Sequence, residues 1–133
     1  VRGYLPGRCH PYRNACLGVL VRPNGITRID ARAVHADADV GAEVRRLVGA
    51  TPVYLSFDIE VLDPAFAPGT GTPVWGGLTT AQAGVLLRAL AGINLVGADV
   101  VEVAPAYDHA GITALAGAHV AYDLIALWGW NRR

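Results

Sequence analysis

Two apolar, strand-forming runs, at residues 51–57 and 95–103, dominate the sequence, and a helical segment separates them. Uninterrupted apolar runs of this length predict strands that are buried on both faces, as in parallel sheets. Residues 79–82 have the spacing of a capping box and predict the start of the intervening helix, which Gly92 closes. A second helix is predicted over residues 112–128; it is apolar nearly all round, which predicts a buried core helix. The order strand, helix, strand, helix predicts an α/β fold with a parallel sheet.

The beginning of the chain differs from the rest in charge. Its first 32 residues contain six arginines and one acid, a net charge of +5. The rest contains five arginines and ten acids, a net charge of −5, so the total is zero. The early arginines are scattered among Gly and Pro and form no continuous run. We therefore predict an unassigned, basic and irregular leader over residues 1–25 and a folded part over residues 26–133.

Shorter elements are predicted upstream of the first apolar run. The stretches 17–22 and 26–30 flank a Pro-Asn-Gly turn signal, which favours a hairpin. A helical pattern follows over residues 40–48, with an Asp before its start and Gly49 at its end. The acid before this helix belongs to the sequence His35-Ala36-Asp37-Ala38-Asp39. That order of His and Asp is also close to a metal motif, but an Asp at this place is expected to cap the helix.

Composition excludes several classes of protein. A chain of 133 residues that is 53% apolar can bury a core, which argues against disorder and against a disulfide miniprotein. The neutral charge argues against a nucleic-acid-binding protein. Cys9 and Cys16 are too few for a disulfide framework, and we expect a reduced, cytoplasmic compartment. His119 and Asp123 interrupt the last apolar segment, so we expect no membrane span.

Acidic side chains follow both strand-forming runs. Asp58 and Glu60 come after the first run and Glu102 lies near the end of the second. Ligands bind at the carboxyl ends of strands in open parallel sheets, and a partly buried carboxylate needs a partner. The chain has no Lys to serve as that partner. Two carboxylates at i and i+2 suit Mg²⁺ or Mn²⁺, although capping of the next loop's amides is the alternative interpretation.

The longest motif covers residues 56–73 and continues at residues 76–79, reading SFDIEVLDPAFAPGTGTP and then GGLT. It resembles the signature of the ureohydrolases, the arginase and agmatinase family of manganese enzymes. Residues 96–108, VGADVVEVAPAYD, resemble the second C-terminal block of that family, and residues 97–113 look closer to the agmatinase branch. The resemblance implies a parallel-sheet, three-layer arginase-like fold of which this chain is the C-terminal part only.

The resemblance also implies roles for the acids. Asp58 matches the carboxylate that bridges two Mn²⁺ ions, and Glu60 stands where the family has a second metal-binding Asp. Glu102 matches the acid that receives the substrate's guanidinium group. The family's other ligands, one His and an Asp-x-His-x-Asp motif, have no counterpart in this sequence. Asp63 and Asp108 also match family positions, but we interpret them first as acids that order loops.

The implied reaction is the manganese-dependent hydrolysis of an agmatine-like guanidino compound to urea and an amine, as part of a larger ureohydrolase. We assign no catalytic residue beyond the metal site, interpret His109 and His119 as structural, and expect the isolated chain to be inactive. The alternative is a degenerate, non-catalytic fragment or interaction module. A phosphatase is disfavoured, since that chemistry requires a phosphate-binding Lys. The resemblance allows a homo-oligomer, and an exposed apolar sheet edge predicts self-association.

Overall fold

The computed structural model describes residues 16–22, 25–36 and 39–130. They form strands and α-helices together with two short 3-10 turns, at Ile59–Val61 and Pro105–Tyr107. In chain order the elements are β1 (Cys16–Arg22), β2 (Gly25–Asp30), α1 (Ala31–His35), α2 (Val40–Val48), β3 (Val53–Asp58), α3 (Thr80–Ala89), β4 (Leu95–Val101) and α4 (Ile112–Trp130).

The elements before β3 follow the sequence pattern. β1 and β2 pair antiparallel, with Arg22 opposite Gly25, which confirms the predicted hairpin. Residues 1–15, most of the predicted leader, lie outside the described residues. α2 begins where the Asp39 carboxylate accepts a hydrogen bond from the Ala42 amide, so the predicted cap is confirmed.

β3 and β4 are parallel neighbours, with Asp58 opposite Val101. Between them, Thr79 and Gln82 form the predicted capping box, in which each side chain accepts a hydrogen bond from the other residue's amide. The predicted parallel α/β arrangement is therefore confirmed. Because parallel strands end at the same edge, Asp58 and the residues that follow Val101 are brought to one side of the molecule.

The prediction that both strands are buried on both faces is wrong. In β3, Val53, Leu55 and Phe57 pack into clusters with the helices, while Tyr54, the next residue along from Val53, is 62% exposed. The described helices cover one face of this two-stranded sheet, so side chains pointing to the other face stay accessible. β4 also ends earlier than predicted, because Glu102 has a φ of 66°, which a strand does not accommodate.

α4 packs on β4 and on α3. The prediction that it is buried nearly all round is wrong, because Tyr122 and Ile125 on its outer side are 71% and 70% exposed. Among the described residues, α4 alone is long and apolar enough to cross a membrane, a property that core helices share. Its contacts with β4 and α3 agree with the expectation that it is a core helix. The buried side is formed by Thr113, Ala116, Gly117, Val120, Leu124 and Leu127.

Candidate functional site

Asp58 is the last residue of β3 and begins the 3-10 turn that follows. Its Oδ1 accepts a hydrogen bond of 2.9 Å from the Glu60 amide, so the predicted capping of a loop amide does occur. Its Oδ2 accepts no hydrogen bond from the described residues. Partial burial raises the pKa of Asp58, and the nearby charges of Glu60 and Glu102 act in the same direction, against the hydrogen bond from the amide. One carboxylate oxygen thus remains available in a place that favours a cation.

Glu60 holds the loop that follows the turn. Its Oε1 lies 3.0 Å from Thr70 Oγ1 and accepts a hydrogen bond of 2.8 Å from the Thr72 amide. Thr72 Oγ1 lies 2.6 Å from both Oε1 and Oε2. Each carboxylate oxygen of Glu60 therefore already has a partner within the protein.

Glu102 follows the end of β4 with its side chain exposed and its backbone in the left-handed region, at φ 66°. Few residues other than Gly adopt this conformation, and they concentrate at functional sites. Its carbonyl accepts a hydrogen bond of 2.9 Å from Thr70 Oγ1. The loop after β3 is therefore bonded directly to the residue predicted to bind substrate.

Asp58, Glu60 and Glu102 together form the candidate site, because Asp58 lies opposite Val101 and Thr70 Oγ1 contacts both Glu60 and the carbonyl of Glu102. Carboxylate oxygens are the donors that hard divalent cations prefer. Among the residues that the structure describes, no group of three His, Cys, Asp or Glu side chains is arranged to hold a metal ion by itself. Asp58 fits the role of a ligand through Oδ2, and Glu60 through Oε2, for which Thr72 Oγ1 is the one donor among the described residues.

Asp63 and Asp108 order loops, as predicted. Asp63 accepts hydrogen bonds from the amides of Ala65 and Gly76, and these bonds lower its pKa, the one from Ala65 most. Asp108 accepts from the amides of Thr113 and Ala114 at the start of α4. Burial acts to raise the pKa of Asp108, but these hydrogen bonds outweigh it and the pKa is lowered.

His35, the first residue of the near-motif, also contacts a loop. A carbonyl only accepts and an amide nitrogen only donates, so His35 Nε2 donates to Gly76 O and Nδ1 accepts from Gln82 Nε2. Asp39 caps α2 and Asp37 lies outside the described residues. These contacts give His35 and Asp39 structural roles. Cys9, like Asp37, is not described.

The hydroxyl groups of the loop after β3 were not among the predicted site residues. Thr70 and Thr72 contact Glu60, and buried Thr113 on α4 accepts a hydrogen bond from the Gly69 amide at 2.8 Å. The sequence pattern that could have indicated them is Gly69-Thr70-Gly71-Thr72-Pro73, in which threonines alternate with glycines. This segment lies between the predicted site residues Glu60 and Glu102. Such residues are able to hydrogen-bond carboxylates without filling the site.

Comparison with known proteins shows which family this chain resembles. A model of the arginase family matches residues 13–126. An agmatinase from Photorhabdus laumondii is 51% identical over 132 residues, which cover 96% of this chain and 43% of that protein. An agmatinase from Proteus mirabilis is 58% identical over 106 residues, covering 78% of this chain and 35% of that protein. The chain thus spans about two fifths of the length of the curated relatives it matches.

Solved structures show the same relationship. A hypothetical agmatinase from Burkholderia thailandensis matches with a TM-score of 0.72 and 59% identity, over 74% of this chain and 32% of that one. The proclavaminate amidino hydrolase of Streptomyces clavuligerus matches with a TM-score of 0.74 and 40% identity, over 77% and 35% of the two chains. The predicted α/β, arginase-like fold is confirmed.

Proposed function

This chain belongs to the arginase family, and from that membership we propose that it acts, as part of a larger ureohydrolase, in the manganese-dependent hydrolysis of an agmatine-like guanidino compound to urea and an amine. Its identity of 51% and 58% to two agmatinases supports the agmatinase branch. The observation that carries the proposal is the convergence of Asp58, Glu60 and Glu102 at the carboxyl ends of two parallel strands.

In this proposal Asp58 and Glu60 hold the metal. Asp58 offers Oδ2, which has no partner among the described residues, and a cation there would offset the burial and the repulsion that raise its pKa. Glu60 contributes through Oε2, since the hydroxyl group of Thr72 is able to donate its one proton to Oε1 instead. The chemistry that Mn²⁺ supplies when bound is the acidification of water at neutral pH. Further ligands must come from outside the described residues.

Glu102 binds the guanidinium group of the substrate. A carboxylate matches this planar cation with two parallel N–H···O bonds, which fix its orientation as well as its position. Attack by the oxygen of water on the guanidinium carbon, followed by cleavage of a C–N bond, releases urea and an amine that takes up a proton. Holding the carbon in line for this attack is the contribution expected of Glu102.

The test is urea release from agmatine, arginine and other guanidino acids in the presence of Mn²⁺. Two proteins are compared: the chain of 133 residues, called the printed chain, and the product of the longest reading frame that contains it, called the longer chain. We expect agmatine to be hydrolysed fastest by the longer chain, and Asp58→Asn to abolish that activity. The printed chain alone is expected to release no urea. Absence of urea from every compound, with both chains, would contradict the proposal.

The hydrogen bonding of Glu60 favours a second candidate, a non-catalytic module in which this acid serves the loop alone. Calorimetric titration of the longer chain with Mn²⁺ separates the two candidates. Tight binding of two ions per chain is expected for the enzyme and would rule out the module. Binding of no ion, together with a folded chain by circular dichroism, would favour the module.

A further inference from the structure

A buried hydroxyl group joins the loop after β3 to the end of β4. Thr70 is 4% exposed, and its Oγ1 lies 2.9 Å from the Glu102 carbonyl and 3.0 Å from Glu60 Oε1. Both neighbours are acceptors, and a hydroxyl group has one proton to donate. Glu60 Oε1 also has donors in Thr72, whereas the described residues offer the Glu102 carbonyl no other hydrogen bond. If the Thr70 hydroxyl group donates its proton to the Glu102 carbonyl, both acceptors have a donor. If it donates to Glu60 instead, the Glu102 carbonyl has none among the described residues.

The neighbouring residue, Gly69, holds the same segment from the other side. Its carbonyl accepts a hydrogen bond of 2.8 Å from the Ala104 amide, and its own amide donates to Thr113 Oγ1 in α4. A Cβ at Gly69 would lie 2.5 Å from the Cβ of Asp108, so only Gly allows this close approach. We name Gly69 and Thr70 the loop clamp, because together they bond residues 102 and 104, and Gly69 is also bonded to α4.

The backbone held by the loop clamp is unfavourable by itself. A non-Gly residue at a φ of 66° persists only when its surroundings impose that conformation. The two hydrogen bonds of the loop clamp fall on either side of Val103, immediately after this backbone turn. Removing the bond from Thr70 would let Glu102 relax toward ordinary strand geometry, which would redirect its side chain.

We propose that Thr70 is a positioning residue, which orients Glu102 toward the guanidinium group by bonding its carbonyl. This rests on the proposed role of Glu102 in binding substrate. A misplacement of about 1 Å at a reacting group costs about a hundredfold in rate. Thr70 thus acts on the reaction through Glu102 and without touching the substrate.

The test compares Thr70→Val, Thr70→Ser and Thr51→Val in the longer chain loaded with Mn²⁺. Thr51 is exposed and serves as the matched control. We expect Thr70→Val to lower kcat/KM for agmatine by about ten- to a hundredfold, mostly in kcat. Thr70→Ser, which keeps the hydroxyl group, should restore most of the loss, and Thr51→Val should match the unmodified chain. Circular dichroism confirms that each variant is folded.

A second readout does not depend on activity. Hydrogen exchange at the Ala104 amide, which is bonded to Gly69, should be at least about tenfold faster in Thr70→Val than in the other two variants. An active unmodified chain with unchanged kinetics in Thr70→Val would overturn the inference and leave the proposed function intact. An inactive unmodified chain would overturn the proposed function and with it the catalytic part of the inference. If hydrogen exchange at the Ala104 amide were also unchanged in Thr70→Val, the loop clamp would be overturned as well.

Discussion

Asp58 lies among other acids, and its position makes the ionised form of its carboxyl group unfavourable in the folded chain. Burial raises its pKa and the charges of Glu60 and Glu102 raise it further. Because the folded chain binds this proton more tightly than the unfolded chain, ionised Asp58 lowers the free energy of unfolding above its folded pKa. The penalty fades as the pH falls through that pKa. A residue kept at such a place, against stability, is typical of a functional site.

Asp58→Asn should therefore raise the melting temperature of the metal-free chain at pH 7, because Asn keeps an acceptor for the Glu60 amide and removes the charge. The gain in free energy should stay below about 1 kcal/mol, since solvent screens a partly exposed group. Thermal unfolding between pH 7 and pH 3 measures it, and the gain should shrink toward acid pH. Mn²⁺ should raise the melting temperature of the unmodified chain more than that of the variant. Equal stabilisation by Mn²⁺ would argue against Asp58 as a ligand.

In the proposed function Glu60 binds the metal as well as the loop that contains Thr70 and Thr72, and a shorter side chain would affect these two roles differently. Glu60→Asp restores the residue that the family resemblance expects and removes one methylene, so contacts with Thr70 and Thr72 should weaken. We expect the free energy of unfolding to fall by about 1 kcal/mol without metal and the affinity for Mn²⁺ to rise. Chemical denaturation and calorimetry measure the two effects. The same change at Glu43 on α2 is the control, and it should leave Mn²⁺ binding unchanged.

At the scale of elements, local sequence accounts for where α3 begins. Thr79 and Gln82 satisfy amides at the helix start that no helical carbonyl can reach. Thr79→Ala removes this cap and should reduce the free energy of unfolding by about 1 kcal/mol. Thr80→Ala, one residue later on an exposed position, is the matched control and should change stability little. Equal effects of the two substitutions in chemical denaturation would contradict a capping role for Thr79.

At the scale of the whole molecule, apolar side chains remain exposed beside β4 and on the outer side of α4. A groove beside β4 is lined by Val96, Ile125 and Trp128, and within the described part of the chain β4 pairs with β3 alone. Exposed strand edges and apolar patches favour association. We expect the printed chain to elute from gel filtration above its monomer mass. Ile125→Glu should reduce association, whereas Leu115→Glu, on another exposed side of α4, should not. A clean monomer would refute this expectation.

Much of this architecture was predictable because its causes are local in sequence. The capping pairs lie three residues apart, the strand and helix periods are read over a few residues, and acids directly follow the strands. The parallel arrangement of β3 and β4 follows from their order with α3. Local patterns therefore sufficed for the elements, for their order and for the edge at which the acids gather.

The burial of each face and the bonding of each acid were decided by tertiary structure. A continuous apolar run does not tell which face of β3 or which side of α4 has a neighbour to cover it. Thr70 meets Glu60 across 10 residues of chain and Glu102 across 32, and only the folded loop brings these atoms within hydrogen-bond distance. Hydrogen bonds act over about 3 Å, so their partners depend on the packing of whole elements and not on spacing along the chain.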